Sequence, residues 1–273
     1  MKKCALFVLT AGICSVVHAQ VPQHIDVAGF ASGKPGSQMI DSVVVPVPSE
    51  IFSVLDKQGK PAWSEVLRPV KDVAVTGSKE QISLVLGTVI AEGFVAVEAQ
   101  NPEEVKNIGR AVLKLSQAIG VQKAVVRRSN AIIEAADKSN WSSVRHELDG
   151  ALADVKNAMN EMRNQDLAQL VSLGGWLRGT QALTAVVEAH YSADGAELLH
   201  QPALLDYFKR RLDAMPAKTK SVGLVKRIRE GLNEISPIMG SDTAEVSEKT
   251  VKQVDSVATE LIKVINQKQN SNE

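Results

Sequence analysis

QISLVLGTVIAEGFVAV, residues 81–97, carries one charged side chain, Glu92, in seventeen positions. A second stretch, LAQLVSLGGWLRGTQALTAVV at residues 167–187, likewise carries one, Arg178. A helix that is apolar on nearly all sides is surrounded by protein or by lipid. Lipid is the poorer environment here. Each stretch has a charge near its middle, several hydroxyls or amides, and more than one glycine, and a central Arg is costly in a bilayer. The pattern predicts two core helices encircled by amphipathic ones, with no transmembrane span in the mature chain.

A lone charge in a core helix needs compensation, because an unpaired buried ion costs several kcal/mol. Two such helices carry one charge each, of opposite sign, so Glu92 and Arg178 are expected to pair or to line one internal polar site. The alternative is that each long side chain escapes to water at its helix edge. The residues around Arg178 read SLGGWLRGT, 172–180. Three glycines inside a helix together cost about 2–3 kcal/mol relative to alanine. Two accounts offset that cost. Gly175 and Gly179, extended by Ser172 and Ala182, form a smooth strip for close packing against the Gly87 and Gly93 surface of the other helix. Alternatively Gly175 lines a groove in which Arg178 grips a carboxylate or phosphate and Trp176 forms a wall. The double glycine leaves open whether the helix is continuous or kinked.

Outward from these stretches the pattern stays helical. Ser78 followed by Gln81 forms a capping box. Asn101, Pro102, Glu103 and Glu104 start the next helix, and Gly120 closes it. A further helix spans 121–138, with Val125, Ile132 and Ile133 inward. Asn140 caps a helix whose Trp141, Val144, Leu148, Leu152, Val155 and Met159 recur at 3.6-residue spacing. Asp166 opens the helix of Arg178. Shorter helices are expected at 193–200 and 202–215, then one from Pro216 to an end marked by Pro237 and Gly240. The last, 243–266, is amphipathic, with Val246, Val254, Val257, Leu261 and Val264 or Ile265 in one stripe. The fold class is all-α, a multi-helix bundle, with residues 49–273 as a single domain.

The beginning of the chain has a different character. Lys2 and Lys3 precede an apolar stretch at 5–17, and Val17, His18 and Ala19 suit the cleavage positions before Gln20. This is the grammar of a secretory signal peptide over residues 1–19, too short to span a bilayer. Residues 20–48, rich in Gly, Pro and Ser, read as a flexible arm, extended at 42–48 where each proline restrains its predecessor. Ser49 is expected to cap a short helix ending before Gly59. The reading places the protein outside the cytoplasm of a bacterium, in the periplasm or beyond the cell. An acylated Cys14 is disfavoured by the bulk of Ile13 before it.

Both cysteines, Cys4 and Cys14, fall in the signal. The mature chain therefore has no disulfide, thiolate zinc site, c-type haem attachment or cysteine nucleophile. Loss of Lys2 and Lys3 leaves 29 basic against 31 acidic residues, a net charge of −2, so no global field points to nucleic acid. The basic stretch from Lys209 to Arg229 suits an anionic envelope component or an acidic protein partner, or is simply two solvated helix faces. Glu197 and His200 have the Glu-x-x-His spacing of carboxylate-bridged metal bundles, but only one copy is present. No metal site, cofactor or catalytic residue is assigned. There is no Gly-x-Ser-x-Gly, phosphate-binding loop or dinucleotide fingerprint.

Function is then read as non-catalytic binding or scaffolding in the bacterial envelope, with Glu92, Gly175, Trp176 and Arg178 as the candidate ligand-binding residues. The alternative is an enzyme or metal-dependent protein using a site between the central helices near Glu92 and Arg178. A cavity there with His190 or His200 converging on it favours the alternative.

Overall fold

The computed structural model of the chain describes residues 38–40, 43–45, 52, 61–70, 73, 75–240 and 246–267. The expected signal peptide lies outside these residues, as do most of the arm and most of the helix expected after Ser49, of which Phe52 is described as helical and buried. Within the described residues the fold is an all-α bundle. Its one sheet pairs β1 (Gln38–Ile40) with β2 (Val43–Val45) antiparallel, Met39 opposite Val44.

A single turn, α1 (Trp63–Val66), precedes a link to α2 (Lys79–Glu98). Ser78 caps α2 by accepting the Gln81 N–H at 3.3 Å. The return half of the expected capping box is not made. The Gln81 amide instead donates to the carbonyls of Ile265 (3.0 Å) and Gln267 (2.7 Å), free acceptors at the end of the last helix. Gly77, just before the cap, has φ +103°, a conformation that suits glycine.

The next helices follow their sequence signals closely. In α3 (Pro102–Ala118) the Asn101 side chain accepts the Glu104 N–H at 3.0 Å, and Gly120 leaves the helix with φ +86°. Then come α4 (Gln122–Asp137) and α5 (Trp141–Glu161), capped by Asn140 on the Ser143 N–H. On α4, Val125 and Ile132 are buried, while Ile133 is half-buried beside Gly109. The helix α6 (Gln165–Ala189) runs unbroken through Gly174 and Gly175.

After α7 (Ala193–Glu197) and α8 (Pro202–Ala214), the helix expected from Pro216 is split. A short α9 (Ala217–Lys220) ends at Ser221. Val222 then turns extended and α10 (Gly223–Met239) begins. Val222 and Gly223 both have low helix propensity, so a break there costs little. At the other end α10 continues past Pro237. Proline removes one backbone bond, and so near the helix end the last turn survives it. The final helix, α11 (Glu248–Asn266), starts at the Ser247 cap rather than at 243; residues 241–245 lie outside the described ones.

Packing runs in sequence along α3, α4 and α5, while α2 and α6 bring together segments far apart in the chain. α2 touches α1, α3, α5, α6 and α11; α6 touches α1, α2, α5, α7, α8 and α11. Every residue from Gln81 to Val97 is buried. Among the described helices, α2 alone is long and apolar enough to cross a membrane, and it lies inside the bundle. One apolar cluster extends from Phe52 to Ile265.

Candidate functional site

Glu92 and Arg178 meet in the core. They are 3% and 2% exposed, and Arg178 Nε donates to Glu92 Oε2 at 2.5 Å. The pair also holds backbone. Glu92 Oε1 accepts the Arg68 N–H at 2.6 Å, and Arg178 Nη2 donates to the Val66 carbonyl at 2.8 Å. Two opposite charges thus bind each other and clamp the link between α1 and α2. Arg178 Nη1 is sealed from solvent and has no hydrogen-bond partner among the described residues. Good geometry and further hydrogen bonds are what offset the desolvation of such a pair.

The same link is fastened twice more. Its Val70 N–H donates to Oε1 of the buried Glu104, and Lys114 Nζ donates to the Val73 carbonyl at 3.0 Å. Glu104 sits in the first turn of α3, where the exposed amides of the helix start favour a carboxylate.

Beside the pair lies a cavity of about 350 Å³. One wall is a stripe of α2: Gln81, Val85, Thr88, Val89 and Glu92. The others are the described link residues Arg68, Pro69, Val70, Val73 and Thr76, and Ile262, Ile265, Asn266 and Gln267 at the end of α11; Arg178 lies at the Glu92 end. The described walls between are mixed, with Thr76, Thr88, Asn266 and Gln267 among valines and isoleucines. Several polar groups on them are already engaged. Glu92 uses both oxygens, Thr88 Oγ1 donates to the Val85 carbonyl, and the Gln81 amide nitrogen is held by α11. Arg68 differs: no hydrogen bond or ion pair of its guanidinium occurs among the described residues. Partial burial and then the Arg178 charge pull it below the usual guanidinium range, yet a guanidinium stays protonated at neutral pH.

Glycine and tryptophan take other places. Trp176 does not line this cavity. Its Nε1 donates to Gln201 Oε1 at 2.9 Å, and its ring lies 5.2 Å from that of Phe208, toward α8. Gly175 does not line the cavity, and a Cβ on it would meet only the Gly87 carbonyl group, its oxygen at an ordinary 3.5 Å; the close packing falls to Gly87 and Gly174. A Cβ on Gly87 would stand 2.0 Å from the Val171 carbonyl oxygen and 2.8 Å from the Gly175 nitrogen. Gly174 abuts the Leu84 carbonyl in the same way, at 2.2 Å. Gly93 faces Leu148 and Ile108 instead of α6, and Gly179 meets nothing described within 4 Å.

Neither His190 nor His200 lines the cavity. His200 Nδ1 lies 3.1 Å from Glu197 Oε1, and no three His, Cys, Asp or Glu gather as a metal set among the described residues. In the basic stretch, Arg227 pairs with Glu234 and Glu260, each at 2.9 Å, and Arg229 with Asp213. Both arginines thus pair with acids of their own or neighbouring helices.

Three residues of interest were not signalled by sequence reasoning: Arg68, Glu104 and Lys156. Arg68 and Glu104 act through the link, which has no periodicity to read. Lys156 lies in phase with Leu148, Leu152 and Met159 on α5, a register from which its burial could have been read. It is 7% exposed, has no charged partner among the described residues, and burial pulls its amine down to about 8. Comparison of the chain with protein-family models, curated proteins and solved structures finds no match, so its site is read from its own chemistry.

Proposed function

We propose that this chain is an exported, non-catalytic binding protein of a bacterial envelope, and that it takes a small molecule into the cavity beside Glu92 and Arg178. In this reading residues 1–19 are removed, the mature chain begins at Gln20, and the bundle is organised around α2 and α6 as its central helices. The observation that supports the binding role is the cavity of about 350 Å³ beside the ion pair, with Arg68, Glu92 and Arg178 among its described lining residues. The charged lining favours holding over proton transfer: both Glu92 oxygens are engaged, and a guanidinium does not deprotonate.

Native mass spectrometry of the protein purified from its own host tests this reading. The expected result is a chain starting at Gln20 with an added small mass that leaves on denaturation. Protein that retains Met1 would overturn export, and a bare chain at saturating cellular abundance would overturn ligand binding.

A further inference from the structure

We infer that the surface where α8, α9 and α10 meet docks on an anionic lipid surface. None of its residues lines the cavity beside Glu92 and Arg178. From Pro202 to Arg229 the sequence holds eight Lys or Arg and two Asp. Folding gathers several of them around Asp213. Arg229 Nη2 pairs with Asp213 Oδ1 at 2.9 Å, joining α10 to the end of α8, and Lys220 Nζ donates to the Asp213 carbonyl at 3.0 Å, bringing in α9. Arg210 precedes Asp213 by one turn of α8, and Lys226 precedes Arg229 by one turn of α10, so each shares a helix face with one member of that pair. Lys218 stands on α9, two residues before Lys220. The acids Glu230, Glu234 and Glu260 gather on Arg227 instead. Arg210, Lys218 and Lys226 are exposed, with no hydrogen bond or ion pair among the described residues.

The kind of partner follows from what this face has and lacks. Unpaired cations on flexible stems, spread over three helices, present charge without a fixed geometry, which suits an array of anionic groups rather than a single one. A protein interface is anchored by aromatic or apolar side chains near its centre. The large apolar side chains exposed among the described residues, Val126, Met162 and Tyr191, all lie outside residues 202–229, so the face offers a protein partner no such anchor. A lipid surface requires none. Its anionic headgroups attract lysines and arginines within a Debye length, and no side chain has to enter the bilayer. The contact is therefore peripheral and reversible by salt.

Co-sedimentation with lipid vesicles of the chain purified from its own host tests the docking face. Vesicles of about one-third phosphatidylglycerol in phosphatidylcholine are expected to bind it at about 0.05 M salt and to release it at about 0.5 M, where screening confines the attraction to a few ångströms. Vesicles of phosphatidylcholine alone should not bind it. The triple variant Arg210→Gln, Lys218→Gln and Lys226→Gln breaks no described contact, and its affinity is expected to fall about a hundred-fold. The matched triple Lys123→Gln, Arg127→Gln and Lys263→Gln removes as much charge from exposed sites on α4 and α11, and should change affinity by less than about three-fold.

Equal losses in the two triples would reduce the effect to net charge and overturn the face. Equal binding to neutral and anionic vesicles would overturn attraction by charge. Failure to bind anionic vesicles would overturn the lipid partner, and capture by dextran sulfate in that case, lost in the first triple alone, would replace it with a polyanionic chain. The native-mass measurement reads the retained small molecule, so its outcome and that of the vesicle assay are distinguishable.

Discussion

Gly87 and Val171 are packed backbone against backbone: a methyl group on Gly87 would stand 2.0 Å from the Val171 carbonyl oxygen. No side-chain rotation relieves such a clash, so α2 and α6 would have to separate. Gly87→Ala is expected to cost about 3 kcal/mol, at the upper end of overpacking effects, and Gly174→Ala a similar amount. Gly179→Ala is the control. It meets nothing described and sits inside a helix, so it should be neutral or stabilise by up to about 1 kcal/mol. Urea midpoints of the three variants check the contrast, and equal losses at all three positions would refute it.

Arg178→Ala is expected to cost about 3–5 kcal/mol, because it leaves a buried carboxylate without its counter-ion. Glu92→Gln should be milder than Glu92→Ala, since its amide oxygen still accepts the Arg68 N–H. The double variant Glu92→Gln with Arg178→Met should cost clearly less than the two singles added together. A double-mutant cycle by denaturant unfolding reads this directly, and strict additivity would refute the coupling.

The two fastened amides of the link should respond separately. In Glu104→Ala the Val70 amide loses its acceptor, while Arg68 keeps Glu92. Hydrogen exchange at Val70 should quicken by about ten- to a hundred-fold, in keeping with loss of a hydrogen bond to a charged group, and exchange at Arg68 should barely change. Glu92→Ala should give the opposite pattern. Uniform acceleration at both sites would mean that the link opens as one piece.

Lys156 makes stability depend on pH in a defined direction. Burial pulls its amine from the ordinary 10.5 to about 8, so the unfolded chain binds the extra proton between those values and stability rises with pH across that window. Below about pH 8 the full cost is present. Lys156→Met should therefore stabilise by about 2–3 kcal/mol at pH 7, and the gain should fade as pH approaches 10.5. Unfolding curves at pH 7, 9 and 10.5 test it. A gain that does not depend on pH would assign the effect to packing.

Much of the bundle is legible in its sequence, because helix starts and apolar stripes are local signals. Ser78, Asn101 and Asn140 each cap where their spacing predicts, and the lone charges in two apolar stretches lead to the Glu92–Arg178 ion pair. The second function of that pair is not legible. Its extra partners are backbone groups of Val66 and Arg68, which any sequence would supply. The cavity is equally hidden, since it arises where α2, the link and α11 fail to close on one another, and no single segment encodes that gap. Trp176 illustrates a directional error: two residues before Arg178 on a helix means a different face, and that face meets Gln201 and Phe208.

The Gln81 amide joins the start of the bundle to carbonyls 184 and 186 residues later. Order of synthesis gives that joint a kinetic meaning. At about 5–20 residues per second, α2 leaves the ribosome roughly ten to thirty seconds before α11 exists to cover it. During that interval a twenty-residue apolar helix stands without part of its cover, resembling a membrane span to any machinery that samples nascent chains.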